Sequence, residues 1–232
     1  LVNKNDSKFL KSGLSTKIIE HPLMPYFALN EEAIEKNNEI SNFDKRRKIY
    51  IFGNFNYQPN IIGLVEFLKF LSESRINLEI LFKENNIKIV IVGIISKKNK
   101  YFLYRKLNNF KLSKFIFIKG PIKNFIDLQK DGLATISFVR TFYGRQTKEF
   151  DSLNLLLPIL KFQNNKRKGS KSFYEFKPYF LSFTTINNLI DHIKTLKTKS
   201  KFVDLSKSIK EDLLSEEKKF NIFCEKILNL DK

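Results

Sequence analysis

A chain of 232 residues that is 42% hydrophobic can bury one good core, so one domain with trailing elements is expected rather than two full domains. The formal charge of +18 asks for an anionic partner (nucleic acid, an anionic membrane surface or a phosphorylated ligand), or else reflects lysine enrichment along the whole chain. One cysteine, Cys224, excludes an internal disulfide and fits a reducing compartment; two histidines and that cysteine leave no metal site to argue, and no apolar run reaches the roughly 18 uncharged residues of a membrane span.

Residues 1 to 24 suggest a helical end around Asp6 to Lys11, a break at Gly13 and a short strand at Lys17 to Glu20 before His21 and Pro22. Ala28 to Lys48 is polar and reads as linker or loose helix, which places the domain proper from residue 48 onward. The first residue is Leu1 rather than Met, and an upstream domain is expected.

From there a rhythm begins. Lys48 to Gly53 reads as a strand, Asn54 to Gln58 as a turn, and Pro59 opens a helix with Ile61, Leu64, Val65, Leu68 and Leu71 on one face. Asn77 to Asn86 prolongs or follows that helix, and Ile87 to Gly93 is a second strand, apolar enough to be buried on both faces. Tyr101 to Phe110 reads as helix, Lys114 to Gly120 as strand, Phe125 to Lys130 as a short helix and Leu133 to Val139 as a fourth strand. Strands alternating with helices in this way predict an α/β fold with a doubly wound parallel, Rossmann-like sheet. Such sheets bind ligands outside the carboxyl ends of their strands, where Gly53, Gly120 and Gly144 are expected to cluster. Neither G-x-G-x-x-G after the first strand nor G-x4-G-K-[ST] occurs, so the ordinary dinucleotide and P-loop readings lose their support.

The fourth strand leads to a glycine turn at Gly144, a helix from Arg145 to Leu156 and a strand from Pro158 to Phe162. A turn that opens a helix offers unpaired N–H groups and the positive end of the dipole to a phosphate. At 100° per residue Lys148, Asp151 and Ser152 share the predicted outer side, while Phe150, Leu153 and Leu157 pack down. The plain alternative is that Lys148 and Asp151 form a surface i,i+3 pair. Asn164 to Ser172 is a basic loop whose Lys166, Arg167 and Lys168 can fold over a diphosphate, touch anionic lipid or simply face solvent. Tyr179 to Phe183 reads as a sixth strand, Thr184 to Leu196 as a helix with Ile186, Leu189, Ile190 and Ile193 inward, and Phe202 to Leu230 as one long helix or two. Residues 1–47 are expected to be the end of an upstream domain with an interdomain linker, 48–200 the Rossmann-like domain and 201–232 the C-terminal helices.

Gly144, Lys148, Asp151, Leu153 and Pro158 are similar in type and spacing to the Gly-x3-Lys-x2-Glu-x-Leu-x4-Pro signature of retaining, family-four GT-B glycosyltransferases. The opening Ile-Phe-Gly-Asn-Phe-Asn-Tyr-Gln-Pro-Asn resembles the start of the C-terminal domain in that family. The resemblance covers residues 48 to 162, with Asp151 in place of the usual Glu, Leu156 in place of a helix-ending glycine, and Asn54 and Asn56 where a positive residue is common. It implies the donor-binding, C-terminal half of a GT-B fold, taking a nucleotide-diphosphate sugar without a metal or other cofactor. Lys148, with Arg145, would neutralise the diphosphate, and Asp151 would hydrogen-bond the ribose. Gly53, Asn54, Gly144, Thr147 and Ser152 would border the donor, with the base near Gly120 and Ile122. Implied partners are a missing N-terminal GT-B domain, a glycan or lipid-linked acceptor, and peripheral contact with an anionic membrane at its cytoplasmic face. Two rival readings are a basic nucleic-acid or anionic-surface binding module and a GT-B-like domain that has lost its chemistry.

Overall fold

The computed structural model describes residues 40–123, 125–138, 147–163 and 177–228. Gly144, Arg145, the loop at Lys166 to Lys168 and everything before residue 40 lie outside the described residues. Six strands, β1 (Lys48–Phe52), β2 (Lys88–Val92), β3 (Ile116–Gly120), β4 (Gly132–Phe138), β5 (Ile159–Phe162) and β6 (Phe180–Phe183), form one all-parallel sheet in the order β3-β2-β1-β4-β5-β6. The chain enters at the centre, winds outward to β3, returns beside β1 as β4 and winds outward again. The expected Rossmann-like architecture is therefore present, and the strand order reverses between β1 and β4.

The connecting helices are α1 (Gln58–Glu73), α2 (Arg75–Glu84), α3 (Lys97–Asn109), α4 (Thr147–Asn154), α5 (Ile186–Leu196) and α6 (Lys199–Leu228), with 3-10 turns at Ile40–Lys45 and Ile126–Lys130. The inner strands bury most of their residues, as a sheet covered on both faces must, and β4 buries all seven, whereas the edge strand β3 alternates and the edge strand β6 buries two of four. Helix α1 presents Ile61, Leu64, Leu68 and Leu71 as its periodicity predicts, but its inner face also includes Gly63 and Phe67. A Cβ on Gly63 would stand 3.0 Å from the ring of Phe138, and the Phe67 ring stacks on Phe138 at 5.9 Å. Val65, expected on the same face, is half-buried and packs against the core.

Helix α3 begins four residues before its expected start at Tyr101. Ser96 caps it, its hydroxyl accepting the Asn99 N–H at 3.3 Å, so a polar run that reads as loop becomes the first turn. The expected pair or single helix at the C-terminus is one helix of 30 residues. Phe202, Ile209 and Leu213 are buried, with the Phe202 ring 5.6 Å from that of Phe43. Arg46 crosses the same junction, its guanidinium 4.7 Å from the Phe202 ring and donating to the carbonyls of Gln129 and Gly132. Beyond Leu213 the described side chains of α6 are half-buried or exposed.

Candidate functional site

The carboxyl ends of β1, β2 and β3 are drawn together by backbone. Gly53 N–H donates to Val92 O at 3.2 Å and Gly93 N–H to Gly120 O at 3.0 Å. A Cβ on Gly93 would lie 1.9 Å from the Gly53 carbonyl oxygen, and Gly93 also has φ 146, so no other residue fits there. Gly53 and Gly120 thus share one rim, as expected, while Gly144 lies outside the described residues. Gly120 has φ 83 with open space around it, and Ile122 next to it is half-buried against the core.

Asparagines order the turn after β1. Asn54 Oδ1 accepts the Asn56 N–H at 3.0 Å, Asn56 Oδ1 accepts the Ser96 N–H at 2.8 Å, and Asn99 Nδ2 donates to Phe55 O at 2.9 Å. With the Phe55 N–H donating to Ile94 O at 2.8 Å, the loops after β1 and β2 are laced together. Asn54 and Asn56, which stand where a positive residue is common in the resembled family, hold the turn in shape. Asn54 itself is exposed.

Across the switch in strand order stands α4, which Thr147 opens. Its Lys148 reaches 88 residues back along the chain: the ammonium donates to Asn60 Oδ1 at 2.6 Å and lies 5.7 Å from the Phe138 ring. Asn60 is in the first turn of α1, where its own Nδ2 donates to Asn54 O at 2.8 Å. The β1 and β4 sides of the crevice are therefore joined through Lys148. Burial lowers the Lys148 pKa, opposed only by the charge of Glu149.

The surface-pair alternative is not realised. Lys148 and Asp151 form no ion pair among the described residues, and burial pushes the Asp151 carboxyl up to about 6. A half-buried ammonium bound to a neutral amide and a half-buried carboxyl with no ion pair among the described residues share one helix. Ser152 differs from expectation. It is buried rather than outward, and its hydroxyl donates to Lys148 O at 2.8 Å, a bond back to the preceding turn.

Glu149, which periodicity leaves unassigned, is buried beneath α4. Its Oε1 is 3.5 Å from Lys161 Nζ and accepts from the Ser137 hydroxyl at 3.2 Å. Ser137 and Lys161 are directly paired in register on β4 and β5. The signal available in the sequence was Lys161 itself: a charge inside an apolar strand requires a partner. Phe150, Leu153 and Leu157 pack down as predicted.

Helix α4 ends where the resembled family places glycine. Leu156 adopts φ 53, its N–H donates to Leu153 O at 2.8 Å, and the Leu157 N–H donates to Ser152 O at 3.1 Å. This is the Schellman closure with leucine in the left-handed position, a conformation that costs a side-chain-bearing residue about 1–2 kcal/mol. The Leu156 side chain, 2% exposed among Phe150, Leu153 and Ile209, offsets that cost by burial.

Other features lie away from the rim. A cleft lined by Ser74, Arg75, Asn77 and Asn109 opens where α1 gives way to α2, beside the end of α3. His192 Nε2 is 3.0 Å from Ser182 O and serves packing. Among the described residues no cluster of three His, Cys, Asp or Glu side chains could hold a metal ion, and no helix is long and apolar enough to cross a membrane.

No family model matches the sequence. A stretch covering 51% of this chain is 28% identical, over 122 residues, to Protein TIC 214 of Lobularia maritima, of which it spans 6%. Solved structures share the whole architecture. TarM superposes with a TM-score of 0.64 at 15% identity, covering 99% of this chain and 42% of TarM; a second TarM structure, from S. aureus, holds UDP. HepE of Anabaena, in complex with UDP and glucose, gives 0.57 at 10% identity over 95% of this chain and 60% of HepE. WaaG, a glycosyltransferase involved in lipopolysaccharide biosynthesis, gives 0.55 at 10% identity over 91% of this chain and 56% of WaaG. The chain spans about half the length of these proteins and has the fold of one half of a GT-B glycosyltransferase.

Proposed function

We propose that this chain is the nucleotide-sugar-binding half of a glycosyltransferase, transferring a sugar from a nucleotide-diphosphate donor to a glycan or lipid-linked acceptor. One observation carries the reading: the Lys148 ammonium sits at the crevice between β1 and β4, half-buried, with a neutral amide oxygen and an aromatic ring as its described neighbours. A cation held out of water and, among the described residues, without an ion-pair partner favours an anionic ligand, and the crevice at the strand-order reversal is where such sheets bind nucleotides.

In this reading the donor diphosphate lies over the start of α4, between Lys148 and the turn after β1. As the bond from the sugar's anomeric carbon to the diphosphate breaks, negative charge grows on the leaving phosphate oxygen, and Lys148 together with Arg145 offsets it. Asp151, one turn along, accepts hydrogen bonds from the ribose hydroxyls. Its half-buried carboxyl forms no ion pair among the described residues, and with a pKa of about 6 it is mostly ionised at neutral pH. Gly53 and Asn54 border the donor, with the base beside Ile122 and Gly120, where a Cβ would meet open space. Thr147 and Gly144 belong to the phosphate turn. Ser152 acts through the helix, since its hydroxyl is bound to Lys148 O. Lysine, arginine and the helix end supply the positive charge, so this reading requires no metal. Acceptor contacts come from a partner domain, and the chain alone is expected to bind donor without turning it over.

Titration calorimetry with uridine, guanosine and adenosine diphosphates, and with their sugar conjugates, tests this. One diphosphate series should bind, and Asp151→Ala should reduce the preference for ribose over deoxyribose nucleotides. Absence of binding to every diphosphate by the folded chain would refute the reading.

A further inference from the structure

The positive charge of this chain is not evenly spread. From Asn85 to Ile126 there are ten lysines and arginines and no acidic residue, so this stretch holds +10 of the net +18. It comprises β2, α3 and β3, one outer edge of the sheet. Helix α3, packed by Leu103 and Leu107, turns Lys98, Tyr101 and Arg105 directly outward, with Phe102 and Tyr104 on either flank. Tyr101 is 67% exposed, Tyr104 42% and Phe102 39%. Lys100 stands over the Tyr104 ring at 5.9 Å and Lys106 over Phe102 at 5.5 Å. Beyond the helix, Lys114 is paired with Glu79 of α2 at 3.0 Å.

The geometry points to α3 as a docking surface for an anionic lipid bilayer, its aromatic rings entering the headgroup layer and its cations meeting lipid phosphates and carboxylates. Three exposed aromatic side chains in the middle of a helix, bracketed by cations and free of carboxylates, match a helix lying in the plane of a membrane interface. Tyrosine and phenylalanine keep apolar area on the surface at a cost that insertion removes, and the tyrosine hydroxyl stays at headgroup level. The shape separates this surface from a nucleic-acid site. Single strands are gripped in a basic groove with bases stacked on its floor, whereas α3 is one convex helix that meets a flat sheet of charge along its length. Because Ser96 is bonded to Asn56, the helix starts at the rim that carries Gly53, so a docked bilayer lies beside that rim. Membrane docking through α3 is independent of whether the rim binds a donor.

Flotation of the full chain with vesicles decides the matter, comparing pure phosphatidylcholine with phosphatidylcholine containing about a third phosphatidylglycerol. Binding is expected only to the anionic vesicles and should weaken with salt, since the attraction acts within a Debye length of about 8 Å at physiological ionic strength. Lys98→Glu with Arg105→Glu should lower partitioning by at least about 25-fold, near fivefold for each cation. Tyr101→Ser with Tyr104→Ser should also lower it while leaving net charge unchanged. Lys194→Glu with Lys218→Glu makes the same charge change on exposed positions of α5 and α6 and should have little effect. All these positions are at the surface, and circular dichroism checks that the variants remain folded. The proposal is overturned if anionic vesicles do not bind, if the two charge-change pairs weaken binding equally, or if the α3 variants abolish binding of a single-stranded oligonucleotide while leaving vesicle binding intact.

Discussion

Lys148 and Glu149 are consecutive residues on an eight-residue helix, yet they meet opposite fates. Glu149 turns into the protein, where Lys161 and Ser137 close around its carboxylate. Lys148, rotated by one residue's 100°, reaches the crevice and finds an amide oxygen and a ring. Among the described residues the inner charge has an ion partner within the fold and the outer one has none. Where a charge on a helix ends up is therefore decided by what surrounds it, which its place in the sequence does not show.

The largest effect expected from this contrast is on stability. Lys161→Met leaves Glu149 buried without its cation, and removing one partner of a buried pair costs about 3–5 kcal/mol. Denaturant unfolding should show a loss of that size, with most of it recovered in the double variant Lys161→Met with Glu149→Gln. A single variant as stable as the double would mean that the two charges are not coupled.

Lys148→Ala should do the reverse, leaving the fold within about 1 kcal/mol of the parent while weakening nucleoside diphosphate binding by roughly 10- to 150-fold, the range for a charge-assisted contact. Unchanged affinity in the folded variant would move the anion site elsewhere and collapse the contrast.

The smallest effect belongs to Asp151. Its carboxyl is raised from 3.8 to about 6 by burial, so the folded state holds the proton more tightly than the unfolded state does. Stability should then fall as pH rises from about 4 to about 6 and level off above that window. Solvent screening at a half-buried site limits the change to the order of 1 kcal/mol. Thermal melts of the parent and Asp151→Asn across that range check the sign, since the variant should lack this slope. Bound diphosphate, which brings hydroxyl donors to Asp151, should shift the window downward.

The sheet was legible because its signals are local: Ile49 to Phe52 and Ile89 to Val92 are continuous apolar runs, and glycines at 53, 93 and 120 mark the strand ends. The helix that carries Lys148 and Asp151 was legible too, because i,i+3 spacing places them near one another on any helix. What could not be read depends on distant register. Ser137 and Lys161 become partners only when β4 and β5 align, and Asn60 meets Lys148 only when β1 and β4 are neighbours. The early start of α3 was hidden for another reason. Four polar residues read as loop until the Ser96 hydroxyl is found capping their amides. Leu156 was recognised as a departure from glycine, but only the backbone shows that it still does glycine's work at φ 53.

Helix α6, about 45 Å long at 1.5 Å per residue, has a further consequence. Its amides near Phe202 and Ile209 lie over buried side chains and exchange their hydrogens only when the whole domain opens. Past Leu213 support comes from short-range pairs such as Glu216 with Lys219, worth a few tenths of a kcal/mol, and a helical segment of that length is marginal in water by itself. One unbroken helix therefore carries two exchange lifetimes, slow where it is seated and fast where it projects, with the change falling near Leu213.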